Sequence, residues 1–404
     1  MNGNIGGRLD GDTRIRFART TPNRQTTMHK RSADTRRIAF IRMGTALPAN
    51  TRVLQLLQSI FPDCVIKIVD VSKLVRQRQK FVNLFFVFGY YGADILRGNR
   101  KFRSCKSRTP YMFKTMKKLV RNALAGDTYL FSFQIQSMFD GSTGKWPHFV
   151  YTDHTHLENL RYSGFNPQRL YAKAWISLET SIYQNATVVF TRSSNISRSL
   201  IEKYGVSSER TVCVYAGGIA VTSSLEIDGD KYSNKSILFV GLNWERKGGP
   251  ELLAAFERVL EQHPDASLTI VGCSPTIALA NCKVVGRVST DEVQSYYEQA
   301  SIFCMPTTLE PFGLVFVEAM FHGLPIVATN TGAVPDMVQD GTNGFLVEPG
   351  DIAALVHALV GLLGNPCRCK EFGGRSRQLA RERYSWDKVG DRMKQTILSQ
   401  LPPG

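Results

Sequence analysis

Short, continuous apolar runs alternate along this chain with segments whose apolar residues recur at helical spacing. Ile38–Met43 is the first such run, Val53–Phe61 then shows helical spacing, and Cys64–Val71 is strand-like again. Runs that short and that unbroken fit strands covered on both faces, and the helical segments between them fit the crossovers that parallel strands need. Further strand-like runs follow at Tyr129–Phe133, Phe149–Thr152, Thr187–Thr191 and Val212–Tyr215. Ala216–Asn234 has no clear period and contains Asp228-Gly229-Asp230, the composition of a linker. A second series then predicts strands at Ser236–Gly241, Ala266–Val271, Ile302–Pro306, Pro325–Ala328 and Gly344–Val347. Its predicted helices are Pro250–His263, Leu355–Leu363 and Ser385–Ser399. No sequence repeat relates the two halves. The pattern predicts an α/β protein with Rossmann-like domains at 37–220 and 236–384, a linker at 221–235 and a C-terminal helix and tail at 385–404. A cleft between two such domains suits an enzyme that brings a donor to an acceptor.

The chain has 404 residues, of which 43% are hydrophobic and 21% charged, enough for a sizeable core and for two or three domains. No stretch approaches about 18 consecutive apolar residues, so no membrane-spanning helix is expected. The first residues carry no apolar h-region, so no secretory signal is expected either. Residues 1–36 are polar and basic without a hydrophobic period and read as a mobile tail. Asp10 and Asp12 argue against a transit peptide there. Eight cysteines form no Cys-x-x-Cys pair, and Cys367-x-Cys369 has no histidine partner nearby, which points to reduced thiols in the cytoplasm. Charge divides the chain. Residues 1–220 hold 34 Lys and Arg against 13 Asp and Glu, whereas 221–404 hold 16 against 21. The basic half is expected to face something anionic.

Two segments carry candidate chemistry. In Thr307–Met320, TTLEPFGLVFVEAM, a strand enters a turn and a helix begins near Gly313 and Leu314. Free N–H groups at a helix start cradle phosphate. Glu310 before the helix and Glu318 inside it are separated by seven residues, a spacing that could hold sugar and ribose diols on either side of a diphosphate. A helix with two surface glutamates is the competing reading. In Gly241–Gly249, GLNWERKGG, Arg246 and Lys247 fall between a strand and a helix that starts at Pro250, where an anion would be welcome. A solvated basic turn is the alternative there.

These segments resemble the family 4 glycosyltransferases, retaining enzymes of the two-domain GT-B architecture. The resemblance covers about residues 149–390. It is carried by ILFVGLNWERKGGPELLAAF (237–256), VVGRVSTDEVQSYYEQASIFCMPTTLEPFGLVFVEAMFHGLPIVAT (284–328), GAVPDMVQDGTNGFLVEPGD (332–351) and YSW (384–386). The two glutamates of EPFGLVFVEAM form the family signature. The resemblance implies a nucleotide-diphosphate sugar as donor, a UDP-sugar first and GDP-mannose second, and a glycan or lipid-linked acceptor, in polysaccharide or glycolipid biosynthesis. By position, Arg246 and Lys247 would bind the diphosphate, Glu318 the ribose and Glu310 the transferred sugar. Gly313, Leu314 and Val315 would offer N–H groups to the phosphates, and Gly286, Arg287 and Val288 would line the base. On the acceptor side, His154 in DHTH would contact the donor sugar, with His156 as the alternative and Asp153 able to orient either. No protein base is assigned, because retaining transfer in this family is thought to pass the acceptor's proton to the leaving phosphate oxygen. The stretch 42–50, RMGTALPAN, has one glycine, Gly44, where many members carry Gly-Gly, which bears on any phosphate contact from this loop. The resemblance implies that the C-terminal helix crosses back to the first domain.

Other readings of the same residues are narrower. Asp10-Gly11-Asp12 and Asp228-Gly229-Asp230 match the letters of a metal-binding Asp-x-Asp but lack a preceding strand, so no metal is expected. Asp94–Arg121 carries ten Lys and Arg and one acid, and Phe81–Tyr91 before it reads FVNLFFVFGYY. An apolar run beside such a segment suits a peripheral site on the inner face of an anionic membrane, through Arg97–Arg121. The run is too short to span a bilayer. No RNA-binding signature is present, so no nucleic-acid partner is expected. A non-catalytic anion- or membrane-binding scaffold that keeps the fold is the alternative to an enzyme. A sugar phosphorylase would need a cofactor-binding lysine for which no motif is found.

Overall fold

The computed structural model describes residues 36–44, 48–218 and 230–402. The expected basic tail, save Arg36, and residues 221–229 of the expected linker lie outside the described residues, as does Asp10-Gly11-Asp12.

The first half runs β1 (Arg37–Arg42), α1 (Pro48–Ile60), β2 (Val65–Asp70), α2 (Val71–Leu74), α3 (Gln77–Leu96), α4 (Phe102–Cys105) and α5 (Pro110–Ala123). It continues with β3 (Phe131–Ile135), β4 (His148–Thr152), α6 (Lys173–Gln184), β5 (Val188–Thr191), α7 (Ser194–Tyr204) and β6 (Thr211–Cys213). The second half runs β7 (Ser236–Val240), α8 (Gly249–Gln262), β8 (Ser267–Val271), β9 (Cys282–Gly286), α9 (Glu292–Gln299), β10 (Ile302–Met305) and α10 (Leu314–Phe321). It ends with β11 (Ile326–Thr329), α11 (Val334–Met337), β12 (Gly344–Val347), α12 (Ile352–Leu363), α13 (Pro366–Arg383) and α14 (Trp386–Ser399).

Each half builds one six-stranded sheet, ordered β2-β1-β3-β4-β5-β6 and β12-β11-β10-β7-β8-β9. Every strand pair is parallel, with Phe40 beside both Ile68 and Phe133 in the first sheet and Ile302 beside Ile237 in the second. The central apolar runs are buried on both faces, as in IFCM of β10 and FSFQI of β3, whereas β2 at its sheet edge is half exposed. Strand order reverses between β1 and β3 and between β7 and β10. In open parallel sheets such reversals open a crevice at the carboxyl ends of the strands.

The two expected Rossmann-like halves are therefore present. The C-terminal helix does cross back: Trp386 Nε1 donates to the Gly218 carbonyl at 2.9 Å. Gly390 of α14 lies against Leu56 and Ile60 of α1. Several elements were not anticipated from the sequence, among them α9, α11, β9 and α13. β9 is a short, half-exposed edge strand with little apolar signal. α13 is polar, and its inward stripe includes Gly373 and Ser376, which add no hydrophobic period. Its start is nonetheless local chemistry, since Asn365 caps the Arg368 N–H and Pro366 sits in the first turn. The last residues of the expected linker, Asp230–Asn234, form a 3₁₀ turn.

Candidate active site

The second-half side of the crevice is made from the two loops that leave β7 and β10. Asn243 Oδ1 accepts the Arg246 N–H at 2.9 Å, closing the turn after β7. The Arg246 carbonyl accepts from Thr308 N and from the Thr307 and Thr308 hydroxyls, each at 3.1 Å, which ties the two loops together. Arg246 Nη1 reaches the Leu309 carbonyl at 2.7 Å. Lys247 Nζ donates to Glu310 Oε2, and both side chains are buried. Burial pulls the Lys247 ammonium below its ordinary value, and the Glu310 carboxylate works against that shift. Gly248 has φ of +76°, and a Cβ there would sit 1.9 Å from the Pro306 carbonyl oxygen. Only glycine lets these loops approach so closely.

Gly313 precedes α10, leaving Leu314 and Val315 in its first turn, where helix geometry gives an N–H no intrahelical acceptor. One turn on, Glu318 is buried and its Oε2 accepts from the Tyr297 hydroxyl at 3.2 Å. Gly286 ends β9 with its carbonyl held by Gly272 N at 2.7 Å, and Arg287 beyond it is exposed. The structure thus gathers Arg246, Lys247, Glu310, Gly313, Leu314 and Val315 at the carboxyl ends of β7 and β10. Gly286, Arg287 and Val288 lie at the end of β9, on the same edge of the sheet two strands away.

His154 follows β4 on the first-half side. Burial lowers its basicity, and its Nδ1 is buried without a hydrogen-bond partner. Its ring stacks at 6.2 Å on Tyr162, a residue the sequence reading did not single out. The Tyr162 ring crosses to the second half, where a Cβ on Gly332 would come within 3.1 Å of it and within 2.1 Å of the Glu310 carbonyl oxygen. Tyr162 is 5% exposed and its hydroxyl has no hydrogen-bond partner. Burial, with the Glu158 and Glu310 carboxylates adding to it, keeps that phenol protonated. An unpaired buried donor is costly unless something polar meets it there.

Behind His154 lies a cavity of about 370 Å3 lined by Met43, Arg108, Gln136, Asp153, His156 and Trp175, among others. Met43, Gln136 and Asp153 come from the ends of β1, β3 and β4, the crevice side of the sheet. Arg108 enters from the loop before α5, its guanidinium 4.7 Å from the Tyr171 ring. His156 Nε2 accepts from Tyr171 N at 2.8 Å, so the ring carries its proton on Nδ1. Burial first, then the Arg108 cation, the neighbouring His154 ring and the Arg100 cation, pull His156 down to about 3, and it stays neutral. Beneath it Glu179 accepts from His156 N at 3.0 Å and from the Tyr204 hydroxyl at 2.7 Å, and burial pushes its carboxyl up to about 7. Asp153 pairs with Arg192 at 3.7 Å. Gly44 follows β1 with φ of +80°, its N–H held by Asp70 Oδ1 at 2.9 Å. Arg108 and Tyr162 carry no local motif, since long-range packing alone brings them to the crevice.

Two parallel sheets meeting at such a crevice define the GT-B fold of glycosyltransferases. The solved sucrose-phosphate synthase of Thermosynechococcus elongatus superposes with a TM-score of 0.65 at 17% identity, covering 90% of this chain and 98% of its own. Residues 234–365 match the family model described as glycosyl transferases group 1. An uncharacterized glycosyltransferase of Haemophilus influenzae is 35% identical over 176 residues, 41% of this chain and 49% of the relative. A GDP-mannose-dependent monoacylated alpha-(1-6)-phosphatidylinositol monomannoside mannosyltransferase of Corynebacterium glutamicum is 30% identical over 171 residues, 38% of this chain and 45% of the relative. The match therefore spans about half the length of these curated relatives. The matched family segment contains the β7 and β10 loops described above.

Proposed function

We propose that this chain is a retaining glycosyltransferase that moves a sugar from a nucleotide-diphosphate sugar to a hydroxyl of a glycan or lipid-linked acceptor, in the cytoplasm. One observation carries the reading: a buried Lys247–Glu310 pair with Arg246 beside it, faced across the crevice by His154 and Tyr162. Arg246 and Lys247 stabilise charge as it develops on the leaving diphosphate, with the Leu314 and Val315 N–H groups adding fixed dipoles. Glu310 gives one oxygen to Lys247 and keeps the other for a sugar hydroxyl. Glu318 takes the ribose. The anomeric carbon loses its bond to the phosphate oxygen and gains one to the acceptor oxygen on the same face. The acceptor's proton passes to the departing phosphate. The resemblance of 237–256 and 284–328 to family 4 enzymes supports retention, and the free state of all eight cysteines supports a reducing compartment. The GDP-mannose dependence in the name of the Corynebacterium glutamicum relative supports GDP-mannose as a donor candidate beside UDP-sugars.

The test is nucleotide release from a panel of UDP-, GDP-, ADP- and dTDP-sugars without acceptor, with Lys247→Ala as control. One donor is expected to release its nucleotide, and the variant to abolish that release. Absence of both release and calorimetric binding across the panel would turn the reading to a non-catalytic scaffold.

A further inference from the structure

α3 presents an apolar aromatic face to solvent. Asn83, Val87 and Tyr91, spaced by four, point into the protein. Asn83 Nδ2 donates to the Lys106 carbonyl at 2.7 Å and the Tyr91 hydroxyl to the Arg108 carbonyl at 2.6 Å. The opposite side carries Phe81, Phe85, Phe88 and Leu96, which are 64%, 70%, 54% and 84% exposed. Phe86 and Tyr90 are exposed as well, so six of the thirteen exposed large hydrophobic residues among those described fall on this one helix. A surface helix ordinarily puts charge there.

Cations frame the face. Arg76, Arg78 and Lys80 are exposed at its start, and Arg97, Lys101 and Arg103 beyond its end. Asp94, the one acid on α3, is held by Arg100 at 2.8 Å. The basic segment is not uniformly outward. Arg100 also donates to the carbonyls of Gln168, Arg169 and Leu170, and Lys117 pairs with the buried Asp140 at 2.5 Å. The expected surface through Arg97–Arg121 is thus better described as the α3 face with its cationic rim. At the edge of that face a cavity of about 390 Å3 lies between Lys80 and Lys106, with Leu84 and Met112 among its lining residues. The Lys106 ammonium stands 4.7 Å over the Phe102 ring.

We propose that the outward face of α3 docks on an anionic lipid bilayer, with the aromatic rings in the interface and a lipid headgroup phosphate between Lys80 and Lys106. The charge pattern selects this occupant. A second copy of the chain would bring one cationic rim against another, whereas an anionic surface complements it. Aromatic and aliphatic side chains on one side of a helix bury in the headgroup boundary while flanking lysines and arginines stay with the phosphates. No single described helix is long and apolar enough to cross a membrane.

The experiment is vesicle co-sedimentation of the full chain, using phosphatidylcholine alone and phosphatidylcholine mixed with phosphatidylglycerol. Binding is expected to the mixed vesicles and to weaken with salt. The triple variant Phe81→Gln, Phe85→Gln, Phe88→Gln keeps every charge and is expected to bind at least about tenfold more weakly. Lys80→Ala with Lys106→Ala is expected to lose about fivefold per lysine at low salt. Thermal unfolding and circular dichroism establish that the variants are folded, independently of any sugar transfer. Three outcomes each overturn the proposal: no preference for anionic vesicles, undiminished binding by the triple glutamine variant, or conversion of an oligomer to monomer by that variant.

Discussion

The two sides of the crevice are built by opposite strategies. On the second-half side, the charged groups Arg246, Lys247 and Glu310 come from two short loops, 241–249 and 307–314, laid side by side because β7 and β10 are neighbours. Their cation and carboxylate are already paired and dry. On the first-half side the groups come from six separate places: the end of β1, the loop before α5, the end of β3, the end of β4, the 3₁₀ segment that leads to Tyr162, and α6. They are richer in unsatisfied atoms: His154 Nδ1, the Tyr162 hydroxyl and Arg192 Nε are all buried without partners. A compact, pre-paired site suits a diphosphate, whose charge is the same whatever sugar it carries. A dispersed site with spare donors suits a partner whose hydroxyls complete the hydrogen bonding.

The comparison breaks most directly at the charge pair. Lys247→Ala should cut donor cleavage by about 10²–10³-fold, as for other groups aimed at developing charge, and should lower the melting temperature because Glu310 is left buried and alone. The double variant Lys247→Met, Glu310→Gln separates the two effects. It is expected to recover the melting temperature and not the cleavage, since it removes the stranded charge without restoring a cation. Recovery of cleavage along with stability would make the pair a structural element, and the second-half side would no longer be the chemical one.

Legibility in the sequence follows the same division. The GLNWERKGG and TTLEPFGLVFVEAM segments could be read because chemistry, turn residues and flanking strands are contiguous, and the structure sets them together. The strands were equally plain wherever both faces are buried, as in β7 and β10. β9, at the sheet edge, was missed because half of it faces water, and α13 because its inward positions include glycine and serine. His154 could be picked out as a histidine just past a strand. Tyr162 could not, because what marks it is contact with Gly332, 170 positions away in the chain. Arg108 looked like one more cation in a basic run. Its difference from Lys114 or Lys118 is that it is half-buried against Tyr171 and Trp175, which no local pattern encodes.

Tyr162 is the sharpest probe of the first-half side. Its hydroxyl is buried and unpaired, so Tyr162→Phe removes a desolvated polar atom at almost constant volume. Stability should hold or rise, while kcat/KM for transfer falls about 3–10-fold through a lost hydrogen bond to the sugar. Thermal melts alongside steady-state kinetics decide the matter. A falling melting temperature with unchanged kinetics would place the hydroxyl in the packing of the two halves, and the spare donors across the crevice would lose their reading as ligand contacts.

The smallest effect concerns the floor of the first-half cavity. Glu179 is buried and its carboxyl is pushed up to about 7, above its ordinary value of 4.5. Between those two values the folded chain holds a proton that the unfolded chain has released, so this residue makes stability fall as pH rises through that window and has no further effect above it. His156, held down to about 3, and His148, down to about 4, act in the opposite direction. Each stays neutral in the fold while the unfolded chain protonates, so each removes stability as pH falls below about 6.5. The parent's own profile mixes these slopes, but the difference between Glu179→Gln and the parent isolates one of them. That difference in melting temperature should grow more favourable to the variant from about pH 4.5 to about pH 7.5, by an amount on the order of 1–3 °C. A glutamine keeps an acceptor for the His156 N–H and turns a donor toward the Tyr204 hydroxyl, which can accept it, so the network survives the change. A difference that stays flat with pH would mean that Glu179 is ionised throughout. The cavity floor would then carry a fixed negative charge beneath Arg108 and His156, and the first-half side would be as fully charge-paired as the second.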